Sequence, residues 1–442
     1  MGKKNKDEGS PSGQKGKAER NPVEFFSASF ANANSTVVKH HLRYLILASL
    51  LTKFLVLVGT PMVFNSFIDS FDLQFYFEHA MKLLNGQLPY IGYNFDYPIL
   101  IFVPIIIALI PAMLFRSITV FVFSFQALMV ICDLITLLCV YFIALRLQNE
   151  KVAFLSGLLY ATAFSSAYFV LTKFDAFPTS LLMLAVFFTL CGMSLKGYIA
   201  TGLGFFAKIF PAIAFPFLIL HNTKKSSLKD EIMAVLKVMV PLVAVLLLPV
   251  LIVRPEAIRT YLFATGASVG IYVNTATYTL YSWINGVGHI NVIPETISLV
   301  MYGLLVITFL FLLYIAYTDT EKRPVTLLKT LLCAFIAVIF FTKFHSPQYI
   351  VWFTPLLCLL VADDIIKIVL FYLVQVFAYI EFPLMFGSYY TNLEYTNAAG
   401  SLGWYMTLIF FTLQYTALIV LVFTIIRPKG DLLMAIRGTI RR

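Results

Sequence analysis

Hydrophobic positions run in long blocks from residue 42 to residue 426, separated by short polar breaks. Blocks of about 20 apolar residues predict membrane-spanning helices. They fall at 42–64, 118–145, 152–171, 177–194, 233–253, 297–318, 326–343, 349–362, 365–386 and 402–426. Two blocks depart from the pattern. Segment 98–115 is short and contains Pro104 and Pro111. Segment 197–221 has bases at both ends, Lys196 on one side and Lys224, Lys225 and Lys229 on the other. Its interior holds Gly204, Lys208 and Pro211, so it predicts a hairpin of two short helices broken around those residues. Broken helices are tolerated where they line a polar cavity. The predicted fold class is all-α, a polytopic helical membrane protein with about 10–12 transmembrane helices.

The first long polar interruption is 69–98, with acids Asp69, Asp72, Glu78 and Asp96. Within it, Leu73, Tyr76, Phe77, Ala80, Met81 and Leu84 recur at helical spacing, opposite Gln74, Glu78, Lys82 and Asn85. This predicts a short amphipathic helix at the membrane surface, with Ser70 as its cap and Gly86 as its stop. Charge chooses between two readings of 98–115. If it spans, Arg146 and Lys151 fall on the outer side; if it stays at the interface, both are cytosolic, and the second reading is preferred. Most of the 32 Lys and Arg then lie on the cytosolic side, as do both termini. Residues 1–41 are expected to form a disordered basic cytosolic tail. Residues 42–426 form one transmembrane domain, with 65–117 as its first outer loop carrying interfacial helices, and 427–442 form a second basic cytosolic tail. The first hydrophobic segment is expected to be retained as a signal anchor.

Composition narrows the class further. The 442-residue chain is 60% hydrophobic and 12% charged, against about 25% charged in soluble domains. Its net charge of +10 sits mainly in tails and short loops, so it is no sign of nucleic-acid binding. Cys132, Cys139, Cys191, Cys333 and Cys358 all lie in apolar segments, which argues against disulfides and thiolate metal sites. His40, His41, His221 and His289 lack metal-ligand spacing. Lys53 and Asp133 lie near mid-membrane, where an unpaired charge costs about 2.5–3.5 kcal/mol. They are expected to face the bundle interior and to pair with each other.

This topology gathers Asp69, Asp72, Asp96, Asp175, Lys173, Lys208, Lys343, His345 and Gln348 at the outer face. Carboxylates can deprotonate a hydroxyl; lysine, histidine and amide donors can hold a phosphate. Each residue also has a plainer reading. Asp72 suits the first turn of a helix dipole, Asp69 a solvated loop and Asp175 a helix cap. Lys208 and Lys343 suit snorkelling to the interface. His79, two helix turns past Asp72, is a candidate for the acceptor side. Tyr76 and Tyr97 suit stacking on sugar or an interfacial aromatic belt.

Four stretches carry a family resemblance. FDLQFYFEHAMKLLNGQLPYIGYNFDYP resembles the first outer loop of GT-C glycosyltransferases, especially family 87, the polyprenyl-phosphate-mannose-dependent mannosyltransferases. KFDAFPTSLLMLAVFF resembles that family's Gln-x-Asp-Ala segment, with Lys173 where Gln is commoner. GLGFFAKIFPAIAFPFLIL resembles its Lys-x-x-Pro element, and KFHSPQYIVWFTPLL its Ser-Pro-Gln-Tyr-x-x-Trp-x-x-Pro element. The matches come in family order between residues 72 and 357. The resemblance implies a GT-C-like membrane enzyme, working at the outer or lumenal face. It would transfer a sugar, with mannose the first expectation, from a polyprenyl- or dolichyl-phosphate donor to a lipid or glycan acceptor. It implies Asp72 as catalytic base with Asp69 as alternative or helper. Lys208, Lys343, His345 and Gln348 would bind the donor phosphate, and Asp175, Lys173, Tyr76, His79 and Tyr97 would bind substrate. No cofactor is expected to be required. Asp69 and Asp72 are three apart rather than a strict Asp-x-Asp, so a divalent metal is compatible but not indicated. The rival reading is a transporter or flippase of a lipid-linked or anionic solute; a third is a non-catalytic scaffold subunit. Acids at one face rather than the midplane, and no visible internal repeat, favour the enzyme.

Overall fold

The structure, a computed structural model, describes residues 35–64, 68–258, 270–390 and 400–427. The expected tail residues 1–34 and 428–442 lie outside the described residues. Long apolar runs have no water to satisfy their backbone, so they fold as helices. In chain order these are α1 (Ser35–Phe64), α2 (Phe71–Leu84), α3 (Phe102–Phe115), α4 (Ile118–Leu147), α5 (Glu150–Ala161) and α6 (Phe164–Thr172). Then come α7 (Ala176–Leu190), α8 (Ser194–Ala207), α9 (Ala214–Asn222), α10 (Leu228–Leu246), α11 (Leu248–Val253) and α12 (Ala276–Ser282). The last are α13 (Pro294–Thr318), α14 (Pro324–Phe341), α15 (Ile350–Val361), α16 (Ile365–Tyr379) and α17 (Leu402–Ile426). The chain is a multi-pass helical membrane protein.

Among the described residues six helices, α1, α4, α13, α14, α16 with its continuation to Met385, and α17, are long and apolar enough to cross a membrane. The pair α5–α6, bent by 53°, makes a seventh if it is counted as one broken span rather than a re-entrant loop. Four further apolar helices, at 99–115, 176–190, 210–222 and 347–361, are shorter. The all-α polytopic class holds, but the expected 10–12 transmembrane helices are corrected: among the described residues six, or up to seven, are long enough to span, because several apolar blocks are broken into shorter helices. The breaks fall at polar residues, Lys173–Asp175 and Lys208, that turn out to share one end of the bundle.

Two further expectations are corrected. The first helix starts at Ser35 rather than at residue 42, so 35–41 is helical and not tail. Val38 is buried there, which anchors the extra turns. Ser70 occupies the cap position of α2 but its hydroxyl makes no capping bond. Asp69 caps instead, its Oδ1 accepting from the Phe71 amide at 3.0 Å. Gly86 does end the helix, at φ +77°.

Cross-bundle contacts fix which segments return. His41 meets Tyr141 at 3.2 Å near one end, and Lys53 meets Asp133 at 2.6 Å further along, so α1 and α4 run antiparallel. The segment between them, α3 included, therefore leaves and re-enters at the same end. This agrees with the interfacial reading of 98–115 rather than with a lone crossing. The predicted hairpin also forms. Ser194 opens α8 and Asn222 ends α9 on the same cavity at the far end, while Lys208 sits at the break between them. Gly204 allows the arms to close, because an added Cβ would meet Pro211 at 3.0 Å.

The Lys53–Asp133 pair forms as expected, and both residues are buried. Ser49 accepts a second bond from Lys53 at 2.7 Å, and the Tyr160 hydroxyl donates to Asp133 Oδ1 at 2.7 Å. Removing one partner of a buried pair typically costs about 3–5 kcal/mol, because the other charge is stranded. Lys53→Met and Asp133→Leu are therefore each expected to lower the melting temperature in detergent, and the double variant to recover most of that loss. A double variant that melts no higher than the worse single would show that the pair is not the source of the effect.

Candidate active site

The site end is built where four elements break. The loop before α2 supplies Asp69, and the first turn of α2 supplies Asp72. The gap between α6 and α7 supplies Lys173, Phe174 and Asp175; the hairpin apex supplies Lys208; and the turn Pro347–Tyr349 leads into α15. Beneath them lies a cluster of buried apolar residues that includes Leu73, Tyr76, Phe125, Phe174 and Phe206. Each such side chain contributes roughly 1.5–3 kcal/mol on burial, which holds the loop against the bundle.

Lys173 is the centre of the first charged group. Its Nζ lies 2.6 Å from Asp69 Oδ2 and 2.9 Å from Asp72 Oδ2. All three side chains are largely shielded from solvent. Burial opposes the lysine's charge, but Asp72 and Asp69 outweigh it, and its pKa is held above the ordinary lysine value. The Asp69 amide donates to the Tyr168 hydroxyl at 2.9 Å, and the Tyr76 hydroxyl lies 3.4 Å from Asp72 Oδ2. Burial, and then Asp72, push the Tyr76 hydroxyl well up, so it remains a donor.

The second charged group is Lys208 with Asp175. The Lys208 ammonium donates to Asp175 Oδ1 at 2.7 Å, and Trp352 Nε1 donates to the same oxygen at 2.6 Å. Asp175 is at the cap position of α7 but makes no capping bond. Its other oxygen is buried without a hydrogen bond among the described residues. Four rings surround the Lys208 ammonium: Phe174 at 4.7 Å, Trp352 at 5.4 Å, Tyr349 at 5.6 Å and Tyr97 at 6.0 Å. Trp352 is itself clamped between Phe210, 4.1 Å away, and Tyr349, 3.6 Å away. Phe174 joins the two groups, with Tyr76 at 5.8 Å and Tyr97 at 5.0 Å from its ring.

A third, uncharged-to-acidic group adjoins through His345, whose ring is 6.1 Å from Tyr349. Tyr415 OH lies 3.4 Å from His345 Nδ1 and donates to the Asn274 carbonyl at 2.5 Å. Asn274 and Gln414 donate to the two oxygens of buried Glu381 at 2.9 and 2.5 Å. A cavity of about 40 Å³ opens between His345, Tyr349, Glu381, Gln414 and Tyr415.

Asp69, Asp72, Lys173, Tyr76, Tyr97, Asp175, Lys208 and His345 thus come together. Burial pushes the His345 imidazole down to about 4, so it is neutral near pH 7. In that form the ring can still donate one hydrogen bond. Gln348 is buried in the turn beside it. Lys343 is half-buried, its carbonyl accepts from the Tyr272 amide at 2.8 Å, and its side chain enters no ion pair among the described residues. His79 faces elsewhere, bonded to the Phe75 carbonyl at 2.7 Å and packed against Phe75, Tyr93 and Phe95. Among the described residues no three His, Cys, Asp or Glu side chains gather as metal ligands.

Sequence reasoning missed Glu381, Asn274, Gln414 and the roles of Tyr349 and Trp352. Glu381 carried a signal, since an acid inside an apolar block is costly and points inward. Trp352 and Tyr349, three residues apart, carried one too, because that spacing stacks two rings on one helix face.

No family model matches the chain, and no curated protein sequence matches it. Among solved structures, ArnT from Cupriavidus metallidurans bound to undecaprenyl phosphate aligns with a TM-score of 0.46 at 14% identity. That alignment covers 88% of this chain and 76% of that one. The apo form of the same protein aligns with a TM-score of 0.46 at 12% identity, covering 87% and 76%.

Proposed function

We propose that this chain is a GT-C-type membrane glycosyltransferase that moves a sugar from a polyprenyl or dolichyl phosphate to an acceptor hydroxyl. The observation that carries this reading is the two lysine–carboxylate groups, set side by side at one end of the bundle and joined by Phe174. Such a site has the two things the reaction needs. The acceptor hydroxyl needs a base, and the departing phosphate needs cations. The sequence resemblance to family 87 supports mannose as the sugar to test first, and a lipid or glycan as acceptor. The charge distribution supports an extracytoplasmic or lumenal site with both termini cytosolic.

In this reading Asp72 takes the proton of the acceptor hydroxyl. The acceptor oxygen bonds to the anomeric carbon as the bond from that carbon to the phosphate oxygen breaks, and the electron pair leaves on the phosphate. A single displacement inverts the anomeric centre. Lys173 is the switch. While it pairs with Asp72 that carboxylate is engaged, and a donor phosphate that draws the ammonium away frees it to meet the acceptor hydroxyl. Lys208, boxed by rings and already paired with Asp175, holds a fixed positive field beside the leaving group rather than a free charge. His345 and Gln348 offer hydrogen bonds to the phosphate. Lys173 lies between Asp69 and Asp72 and supplies positive charge there.

Two experiments test this. Purified protein in nanodiscs is given radiolabelled polyprenyl-phosphate mannose and a crude lipid extract. Asp72→Asn is expected to lower transfer about 10²–10⁴-fold, the usual worth of a general base, while remaining folded. Equal product from both forms would move the base to Asp69 or Asp175. No transfer from several lipid-phosphate sugars, together with movement of such lipids across liposomes, would make the chain a transporter. The second variant, Trp352→Phe, keeps the stack but removes the bond to Asp175. A hydrogen bond to a charged group is worth about 1.5–3 kcal/mol, and transfer is expected to fall about tenfold. If only the melting temperature falls and transfer per folded molecule is unchanged, the Asp175–Trp352 bond is scaffold and not part of the site.

A further inference from the structure

The opposite end of the bundle holds a cavity of about 230 Å³ that the reaction does not use. Helix α7 runs from Asp175 at the site to Leu190 at this cavity, about 22 Å at 1.5 Å per residue. The cavity is lined by Arg146 from the last turn of α4, Lys224 and Lys225 from the turn after α9, and Lys322 from the turn before α14. His221 and one acid, Glu231, also line it, with the uncharged polar side chains of Thr189, Ser194 and Asn222. Glu231 is already engaged: the hydroxyls of Tyr198 and Ser226 donate to its two oxygens, and Asn222 donates to Tyr198 at 2.9 Å. Among the described residues Lys224, Lys225 and Lys322 form no ion pair. Lys322 is held by the carbonyls of Ala316 and Tyr317 at 3.0 and 2.9 Å, on a left-handed backbone (φ 49°).

The backbone is shaped around these cations. Gly192, also on the cavity wall, turns at φ +78°, and a Cβ there would stand 2.5 Å from Lys225 Nζ. Beside the lining residues Ser194 and Pro324, the apolar side chains of Leu195, Ile199 and Val325 are exposed. A concentration of positive charge at the helix ends therefore meets an outward apolar surface.

We propose that this cavity binds a phosphate-bearing anion, and that its ligand is the headgroup of an acidic membrane phospholipid. Phosphate oxygens take up the donors of Lys224 and Lys225, Arg146 and the carbonyl-held Lys322 add positive charge to the wall, and the acyl chains lie along Leu195, Ile199 and Val325. Basic pockets between helices at the cytosolic side suit such headgroups, and this is the end to which the basic loops belong.

The test uses delipidated full-length protein, with native mass spectrometry and thermal melting as readouts. The probes are phosphatidylglycerol, phosphatidylcholine and inorganic phosphate. Lys224 and Lys225 are exposed, so Lys224→Gln/Lys225→Gln is expected to melt like wild type in phosphatidylcholine. Wild type is expected to bind phosphatidylglycerol in preference to phosphatidylcholine and to melt higher with it. Each lost lysine is expected to weaken that binding about 5-fold, so the double variant loses about 25-fold. Lys229→Gln removes an exposed base outside the cavity and is expected to change little. Equal binding of both lipids, or equal loss in Lys229→Gln, would overturn the site. Full stabilisation by millimolar inorganic phosphate alone would overturn the lipid assignment in favour of a free anion.

Discussion

A charge in an apolar interior needs a partner, and that requirement organises this molecule. Three of the five buried lysines among the described residues are matched to carboxylates within 3 Å: Lys53 to Asp133, Lys173 to Asp69 and Asp72, and Lys208 to Asp175. The low dielectric that makes each stranded charge expensive also makes each pair strong. The pairs therefore act as pins. One ties α1 to α4, one ties the loop before α2 to the gap after α6, and one ties the hairpin apex to α7. Apolar packing supplies most of the burial, but it is non-directional. The pins give register to helices that would otherwise slide.

The same pins explain why the helices break where they do. An unbroken helix from residue 164 to residue 190 would put Lys173 and Asp175 on different faces, about 200° apart at 100° per residue. Stopping at Thr172 and restarting at Ala176 lets the two residues serve neighbouring groups with Phe174 between them. The hairpin does likewise for Lys208, whose extended backbone carries the ammonium into its aromatic box. Local irregularity is thus concentrated where polar atoms converge, as expected of a site lined by broken helices.

Much of this was legible in the sequence, and the reasons differ by residue. Lys53 and Asp133 were readable because each stood alone in an apolar block, so each required the other. The hairpin was readable because bases at both ends cannot belong to a single crossing. Asp69, Asp72, Lys173, Asp175 and Lys208 were readable as a set from their common side, but their pairings were not. Lys173 joins residues 104 and 101 positions away, and nothing local marks it as the bridge. The start of α1 at Ser35 was missed because polar residues on an exposed helical turn look like tail.

The hairpin has a consequence for how the chain is made. Lys208 rides at a tip whose arms begin and end at the far end of the bundle, so the tip must be pushed into the apolar layer carrying its ammonium. Alone it would arrive uncompensated. Asp175 is 33 residues nearer the N-terminus and has left the ribosome before Lys208 does. A carboxylate already in place at the head of α7 gives the incoming tip a destination. The order of the two residues along the chain is thus the order in which a neutral pair is most simply assembled, with the fixed anion first and the mobile cation delivered to it.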